Sequence, residues 1–369
     1  MRNSDGLVVP LRSYLDEVDF ETIKQRFEAF WNREPLETPL LHITAPRSEQ
    51  VAVNVPDDIE ERWTNVDYVL RKAEAYLDNT VFMGDAVPWY WPNLGPNSFT
   101  AFLGGNLTFL DETTSWMPPF ISNLSEYEPE FDESSKWWRI MDAQLDSLCE
   151  IARDRFLIGI PDIHYGGDSL AAAFGTANLV RSLYVEPETV RVLVEKLAGI
   201  CIQVFDRYYR KISRVQKGCI TWIPAYSKGK YFALQDDFTG LLSPKMFKEL
   251  FLEEDVERIA RYLDNSIFHL DGPMALGNLD ALLQVDALDG IQWVPGAGAE
   301  PMSKWIGVCN KILGAGKCLQ ISCSPQEVPF LLSKLKHEGL FISTSCGSER
   351  EGRILLKNAA KCASYKGLE

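Results

Sequence analysis

Residues 266–273, with the sequence SIFHLDGP, give the strongest indication of both the fold and a functional site. This short run of strand-forming residues ends in two potential metal ligands, His269 and Asp271, and residues 343–347 (STSCG) end in the same way with Cys346. Imidazole, carboxylate and thiolate are the ligand types that zinc uses, and a catalytic zinc typically keeps a fourth position open. The two stretches therefore predict a zinc site, although a histidine at a strand end is more often structural and a free cysteine usually packs as a small apolar residue.

Short apolar runs alternate with longer helical patterns along the rest of the chain. The eight candidate strands are residues 40–45, 80–84, 156–160, 219–223, 267–270, 290–294, 318–322 and 340–344. Apolar residues recur at helical spacing in 187–211 and 244–263, and each of these segments begins with a proline, which is favoured in the first turn of a helix. This alternation predicts parallel βα units, and eight of them predict an α/β fold, a (β/α)8 TIM barrel with N-terminal and loop elaborations. We expect one domain over 1–369, with residues 1–35 as an N-terminal helical extension.

Composition and charge exclude several classes of function. The chain has 369 residues, 46% of them hydrophobic, and a formal net charge of -15, which disfavours non-specific binding to nucleic acid or to anionic membranes. The first residues lack the pattern of a secretory signal, and no apolar run reaches the length of a membrane span. We therefore expect a cytoplasmic protein. Its eight scattered cysteines should be thiols or ligands rather than disulfides.

Polar side chains follow many of the predicted strands, and barrel enzymes place their active sites at the carboxyl ends of strands. The residues at these positions are Asp85, Asp162, His164, Tyr226, His269, Asp271, Trp293, Gln320, Cys323 and Cys346. Residues 348–351 (SERE) form a capping-box pattern that opens a helix directly after Cys346, and a helix N-terminus favours thiolate. The aromatic run that starts with Trp89 and Trp91 suits a long ordered loop that covers a pocket, or one that only packs onto the barrel.

Three segments in their order resemble the uroporphyrinogen decarboxylase superfamily, whose barrel also serves zinc-dependent corrinoid and cobalamin-independent methyltransferases. They are residues 82–88 (FMGDAVP), 242–263 (LSPKMFKELFLEEDVERIARYL) and 319–328 (LQISCSPQEV). The resemblance extends from about residue 36 to the C-terminus. The decarboxylase has an arginine-rich segment where this chain offers only Arg47, and a histidine where this chain has Cys346. The methyltransferases carry that cysteine, together with a His-x-Cys pattern where this chain has His269 and Asp271.

The resemblance implies a methyltransferase that moves a methyl group between a corrinoid or a methylated small molecule and a thiol or related acceptor. His269 and Cys346 carry over as zinc ligands, and Asp271 stands in place of the cysteine of the His-x-Cys pattern. A partner protein would bring the corrinoid as methyl carrier. Asp85, His164, Tyr226 and Gln320 are the predicted substrate-orienting residues, and Trp89, Trp91, Arg47 and Trp293 are the predicted cofactor contacts. If the methyl donor is a quaternary ammonium compound, Trp89 and Trp91 offer cation–π contacts.

Two other functions remain open at this stage. The first is a decarboxylase or lyase of the uroporphyrinogen decarboxylase type, which needs no metal and uses Asp85 to stabilise a cationic intermediate. The second is a non-catalytic protein that binds a corrinoid or tetrapyrrole. About one zinc ion per chain would favour methyl transfer over decarboxylation, and bound visible absorbance without turnover would favour the binding protein.

Overall fold

A central, mostly parallel sheet organises the computed structural model, which describes residues 12–366, with side chains as far as Lys361. The strands are β1 (Leu40–Pro46), β2 (Thr80–Gly84), β3 (Trp89–Tyr90), β4 (Thr108–Phe109), β5 (Ser115–Trp116), β6 (Leu157–Ile158), β7 (Tyr231–Leu234), β8 (Asn265–Asp271), β9 (Gly290–Val294), β10 (Cys318–Ser322) and β11 (Leu340–Ser345). Seven of them form one sheet in the order β2-β1-β11-β10-β9-β8-β7, while β3 pairs with β6 and β4 pairs with β5.

Helices surround this sheet. They are α1 (Phe20–Trp31), α2 (Ile59–Thr64), α3 (Val66–Asn79), α4 (Ser98–Phe102), α5 (Lys136–Ala152), α6 (Gly166–Phe174), α7 (Thr176–Val185), α8 (Pro187–Ile212), α9 (Pro244–Leu250), α10 (Ile259–Tyr262), α11 (Gly272–Ala275), α12 (Leu279–Leu283), α13 (Ile306–Gly314), α14 (Val328–Lys334) and α15 (Glu349–Lys366). Among the described residues, no helix combines the length and the apolar character needed to cross a membrane.

The seven-stranded sheet is open, so a closed (β/α)8 barrel is not confirmed. Its edges within residues 12–366 are β2 and β7. The strands from β7 to β11, and β1, are parallel, as predicted, but β2 runs antiparallel to β1. The chain is thus a mixed α/β protein with a parallel-rich sheet. The antiparallel direction of β2 determines the position of Asp85, which follows this strand.

Most predicted strands are present, and three of them have the predicted bounds: β2, β9 and β10. Residues 219–223 were predicted as a strand, but they form only isolated bridges, from Cys219 to Ser227 and from Thr221 to Ile160. The chain reverses at this point, because Cys219 and Ser227 exchange two backbone hydrogen bonds across a turn that contains Pro224. The strand beside β8 is instead β7, a fully buried run that the sequence analysis missed.

The two long helical patterns are also present. Helix α8 begins at Pro187, and α9 begins at Pro244 after Ser243, whose side chain accepts a hydrogen bond from the Met246 amide. The predicted helix over 244–263 is interrupted by a π-helical segment, Leu252–Arg258, which carries the buried Asp255. Such π-bulges are rare and frequently occur at functional sites.

Asp85 fixes the N-terminal helix to the sheet. Its carboxylate pairs with Arg26 of α1, with Nε–Oδ1 at 2.5 Å, and accepts the Leu41 amide at 2.8 Å. Because β2 is antiparallel, Asp85 lies opposite the start of β1, at the amino-terminal edge of the parallel strands. His269 lies near the carboxyl end of β8. The prediction that Asp85 shares a pocket with His269 is therefore wrong, and the role of Asp85 is to anchor α1.

Replacing Arg26 with Met should lower the free energy of unfolding by about 2 to 4 kcal/mol, because it leaves the carboxylate of Asp85 buried without its cation. Urea unfolding followed by circular dichroism measures this loss. The matched control is Lys245→Met, which removes an exposed i,i+4 pair with Glu249 and should change stability by less than about 0.5 kcal/mol. Equal losses in the two variants would contradict the anchoring role.

Candidate metal centre

Three potential metal ligands converge at the carboxyl ends of β7 and β8. His269 and Asp271 lie two residues apart on β8, which directs both side chains to the same face of the sheet. Asp237 follows β7, the neighbouring parallel strand. One ligand atom from each of the three residues lies within 4.8 Å of the other two. This arrangement gives one imidazole and two carboxylates at a single point.

Hydrogen bonds orient the imidazole of His269. Its Nδ1 pairs with Oε1 of Gln292 on β9, which leaves Nε2 for a ligand. Gln292 in turn donates through Nε2 to Oε1 of Gln320 on β10, at 2.6 Å, and Gln320 donates to the Ser343 hydroxyl at 3.0 Å. Metal-ligating histidines typically donate their second ring nitrogen to such an acceptor, which fixes the tautomer and the ring orientation. Trp222 holds the ring edge-on from another side, with 5.0 Å between ring centroids.

A second imidazole lies between two carboxylates. His164 Nε2 is 3.0 Å from Asp162, and Nδ1 is 3.0 Å from Asp168 on α6. Burial alone would lower the His164 pKa, but the charges and hydrogen bonds of the two aspartates raise it well above its usual value. The Asp168 pKa is lowered, because its bonds to His164 and to the amides of Phe238 and Asp237 outweigh the effect of burial. His164 is therefore an imidazolium ion near neutral pH.

Asp237 connects the two histidine clusters. One of its carboxylate oxygens also lies within 4.8 Å of ligand atoms of His164 and Asp168. Asp237 reaches solvent, yet the surrounding protein shields its carboxylate enough to raise its pKa, and the charge of Asp168 adds to this effect. The donor set of Asp237, His269 and Asp271 fits a zinc ion, since imidazole and carboxylate are both zinc ligands. Its oxygen-rich character also suits harder divalent metals.

Two further aspartates are buried beneath this edge. Asp236 accepts the Gly167 amide at 2.7 Å, and Asp255 comes from the π-helical segment. Burial and the nearby charge of Asp168 raise the pKa of Asp236 well above its usual value and raise that of Asp255 to about 7. Two buried carboxyl groups in contact do not both ionise, so they share a proton at neutral pH.

Cys346, the predicted third zinc ligand, is not part of this centre. Among residues 12–361, its thiol belongs to neither group of three close ligand atoms. Two strands, β9 and β10, separate β11 from β8, and the Cys346 amide donates to the Thr44 carbonyl of β1 at 2.8 Å. Burial and the charge of Glu351 raise the pKa of the Cys346 thiol. The predicted capping box does open α15, but its glutamate opposes the expected thiolate.

Several other predicted site residues lie elsewhere. Tyr226 packs on Phe20 and Phe27 of α1, and its hydroxyl donates to the Lys217 carbonyl at 3.2 Å. Trp293 is buried against Trp305, on the face of β9 opposite to Gln292.

The remaining predicted cofactor contacts also have protein partners. Trp89 and Trp91 pack over Gly159, where an added Cβ would lie 2.9 Å from Trp91 Cβ and 3.0 Å from the Trp89 ring. Arg47 pairs with Glu17 in the N-terminal segment. His164, Gln320, His269 and Asp271 are thus the predicted residues that the structure brings to one region.

The sequence analysis missed Asp237 and Gln292. Asp237 follows β7, and because that strand was not predicted, the residues after it were not considered as strand-end ligands. A four-residue apolar run, YFAL, followed by Gln-Asp-Asp was the available signal. Gln292 gave no signal in sequence, since its role depends on its pairing opposite His269 in the β8–β9 ladder.

An open cavity of about 490 Å³ lies next to the two histidine clusters. Its lining includes His164, Asp168 and Asp237, together with Trp116 and Met117 from the long segment that follows β2. This segment was predicted to cover a pocket through Trp89 and Trp91. It lines the cavity instead through Pro96 and Asn97, which precede its β4–β5 hairpin, and through Trp116, Met117 and Pro119.

Comparison with known proteins gives one informative result. No protein-family model matches the chain, and no curated protein matches it. A solved structure, a methyltransferase from Methanosarcina mazei, superposes with a TM-score of 0.57 over 92% of this chain and 98% of that chain, at 13% sequence identity. The chain shares the fold of that methyltransferase. At this identity the likeness concerns the fold alone.

His164 should stay protonated at pH 7, whereas His42, which is buried with an unpartnered Nε2, should be neutral because burial lowers its pKa to about 4. Imidazole NMR titration measures both, with His164→Gln and His42→Gln used for assignment. Asp168→Asn should lower the His164 pKa, since it removes one of the two stabilising carboxylates. A His164 signal that titrates at the ordinary pKa of about 6.5 would contradict the stabilisation of its imidazolium form by Asp162 and Asp168.

Asp255→Asn should stabilise the protein increasingly from about pH 4 to about pH 7. The folded pKa of Asp255 is raised from 3.8 to about 7, so the folded state holds a proton that the unfolded state has lost, and stability falls as the pH rises through this window. The asparagine side chain cannot ionise. Urea unfolding at pH 5 and pH 8 should show an advantage for the variant that reaches about 2 to 4 kcal/mol at pH 8. A constant difference between the two pH values would contradict the shift.

Proposed function

We propose that this protein is a metal-dependent methyltransferase that transfers a methyl group to a thiol. The observation that carries the proposal is the free Nε2 of His269, fixed by Gln292 and placed beside the carboxylates of Asp237 and Asp271. The fold shared with a methyltransferase is consistent with this activity. When bound, a zinc ion supplies the Lewis acidity that holds a thiol as its thiolate.

The protein residues would prepare this reaction in three ways. The relay from Ser343 through Gln320 and Gln292 keeps His269 in the tautomer that binds metal. Asp237 and Asp271, which both reach solvent, would complete the metal site beside His269. Trp116, which is half exposed in the cavity lining, would limit water near the methyl group.

The transfer step balances without an oxidant or a reductant. The thiolate sulfur donates an electron pair to the methyl carbon, the new S–C bond forms, and the bond between the methyl group and its donor breaks. The electron pair of that bond stays on the donor, which is either a methylated corrinoid or a methylated small molecule. The thiol proton is released to solvent.

The predicted decarboxylase function relied on Asp85, which is held by Arg26 at the opposite edge of the strands. We therefore retain methyl transfer, and the non-catalytic binding protein becomes an outcome of the test.

Metal analysis should separate the ligand set predicted from sequence from the one proposed here. Protein prepared without chelators should contain about one zinc ion per chain. Asp237→Asn and His269→Ala should each lose most of the metal, since removing one of three protein ligands typically weakens binding strongly. Cys346→Ala is the matched control and should retain it. If Cys346→Ala lost the metal and Asp237→Asn kept it, the result would favour the ligand set predicted from the sequence.

Activity is tested with methylcobalamin as donor and 2-mercaptoethanol as acceptor. The expected product is the S-methyl thioether, identified by mass spectrometry, and the Gln292→Leu variant should form it more slowly by about 10- to 100-fold through loss of His269 orientation. Bound corrinoid absorbance with full zinc and no thioether would favour a binding protein instead.

A further inference from the structure

The cavity beside the metal centre has a distinctive combination of charge and apolar surface. Its volume is about 490 Å³, and its charged lining residues are His164, Asp168 and Asp237. The other lining residues are neutral, among them Trp116, Pro96 and Pro119. A cavity of this size accommodates a small organic molecule.

The net charge of the residues that line the cavity is negative. His164 is the single basic side chain among the residues that line the described cavity, and its positive charge is already matched by Asp162 on the side away from Asp168. Asp168 pairs with His164 and accepts the amides of Asp237 and Phe238, whereas Asp237 reaches solvent and leaves anionic charge facing the open space. A ligand atom of Asp237 lies within 4.8 Å of one of Asp168, so the two carboxylates repel each other. A cation in the cavity relieves this repulsion, whereas an anion increases it.

The apolar side of the cavity suits methyl groups. Trp116 is 50% exposed, and two prolines belong to the same lining. An indole ring attracts a quaternary ammonium group through cation–π interaction. The combination of carboxylates with an exposed indole differs from a site for a neutral or anionic ligand.

We propose that this cavity binds a small organic cation with N-methyl groups, held between Trp116 and the carboxylate of Asp237. Because Asp237 belongs both to the cavity lining and to the candidate metal trio, the bound ammonium lies next to the proposed acceptor site. Cation binding itself does not depend on the proposed methyl transfer. Only the use of the ligand as methyl donor rests on that function.

As a donor, the ammonium would lose one methyl group to a thiolate. The S–C bond forms, the N–C bond breaks, and the nitrogen keeps the electron pair as a tertiary amine. This amine is basic, so at neutral pH it takes up a proton from solvent and leaves as an ammonium ion with one methyl group fewer. No oxidant or reductant is required.

The test uses choline as the probe and 3,3-dimethylbutan-1-ol, which has the same shape without charge, as the neutral control. Isothermal titration is performed on full-length protein that has been treated with a chelator, so that metal plays no part. Choline should bind at least tenfold more tightly than its neutral isostere, and acetate should not compete.

Two variants locate the binding site. Trp116→Leu should weaken choline binding by roughly tenfold, in keeping with a cation–π contribution of about 1 kcal/mol or more. Asp237→Asn should weaken it while preserving the shape of the side chain. The matched control is Phe330→Leu, which changes an exposed aromatic residue of α14 outside the cavity lining and should leave the affinity unchanged.

Equal affinity for choline and its isostere would overturn the inference, as would unchanged choline binding in both cavity variants. Circular dichroism verifies that each variant is folded, and if Trp116→Leu does not fold, Asp237→Asn decides. Choline binding without any methyl transfer would support the cation site and count against the proposed function. Thioether formation from methylcobalamin in a protein that does not bind choline would support methyl transfer and count against the cation site.

Discussion

The parallel pairing of β7, β8 and β9 is the constraint on which the candidate site depends. In this register His269 lies opposite Gln292, and Leu234 at the end of β7 lies opposite Phe268. Side chains alternate between the two faces of a strand, so a slip of one residue would turn His269 and Asp271 away from Asp237 together. The buried residues of β7 and β8 stabilise this register, because the same slip would bring apolar side chains to the polar edge.

Close approach of backbone and carboxylates is a second structural requirement of the site. Gly166 has φ +54°, and a Cβ there would lie 2.3 Å from Asp255, while one on Gly167 would lie 2.9 Å from Asp236. These two glycines at the start of α6 therefore allow the buried aspartates to pack beneath the helix that carries Asp168. The concentration of negative charge is accommodated by one imidazolium, by backbone amides and by a shared proton.

The difference between prediction and structure follows from two particular strands. Strand β7 was not predicted, so Asp237, which follows it, was not identified as a potential ligand at a strand end. The predicted strand over 219–223 is a chain reversal whose Trp222 contacts His269. The antiparallel direction of β2 placed Asp85 at the wrong end of the sheet for the role that the resemblance implied, although the bounds of β2 were predicted as they are observed.

The sequence by itself determined most local structure: the bounds of β9 and β10, the proline-initiated helices α8 and α9, and the shared face of His269 and Asp271. These features depend on residues near one another in the chain, where periodicity and capping act. Only the tertiary structure decided strand direction, the open sheet, and the choice of Asp237 over Cys346 beside His269. Strand order and direction are set by contacts between distant segments, and the spacing of residues along one chain does not encode which strand ends become neighbours.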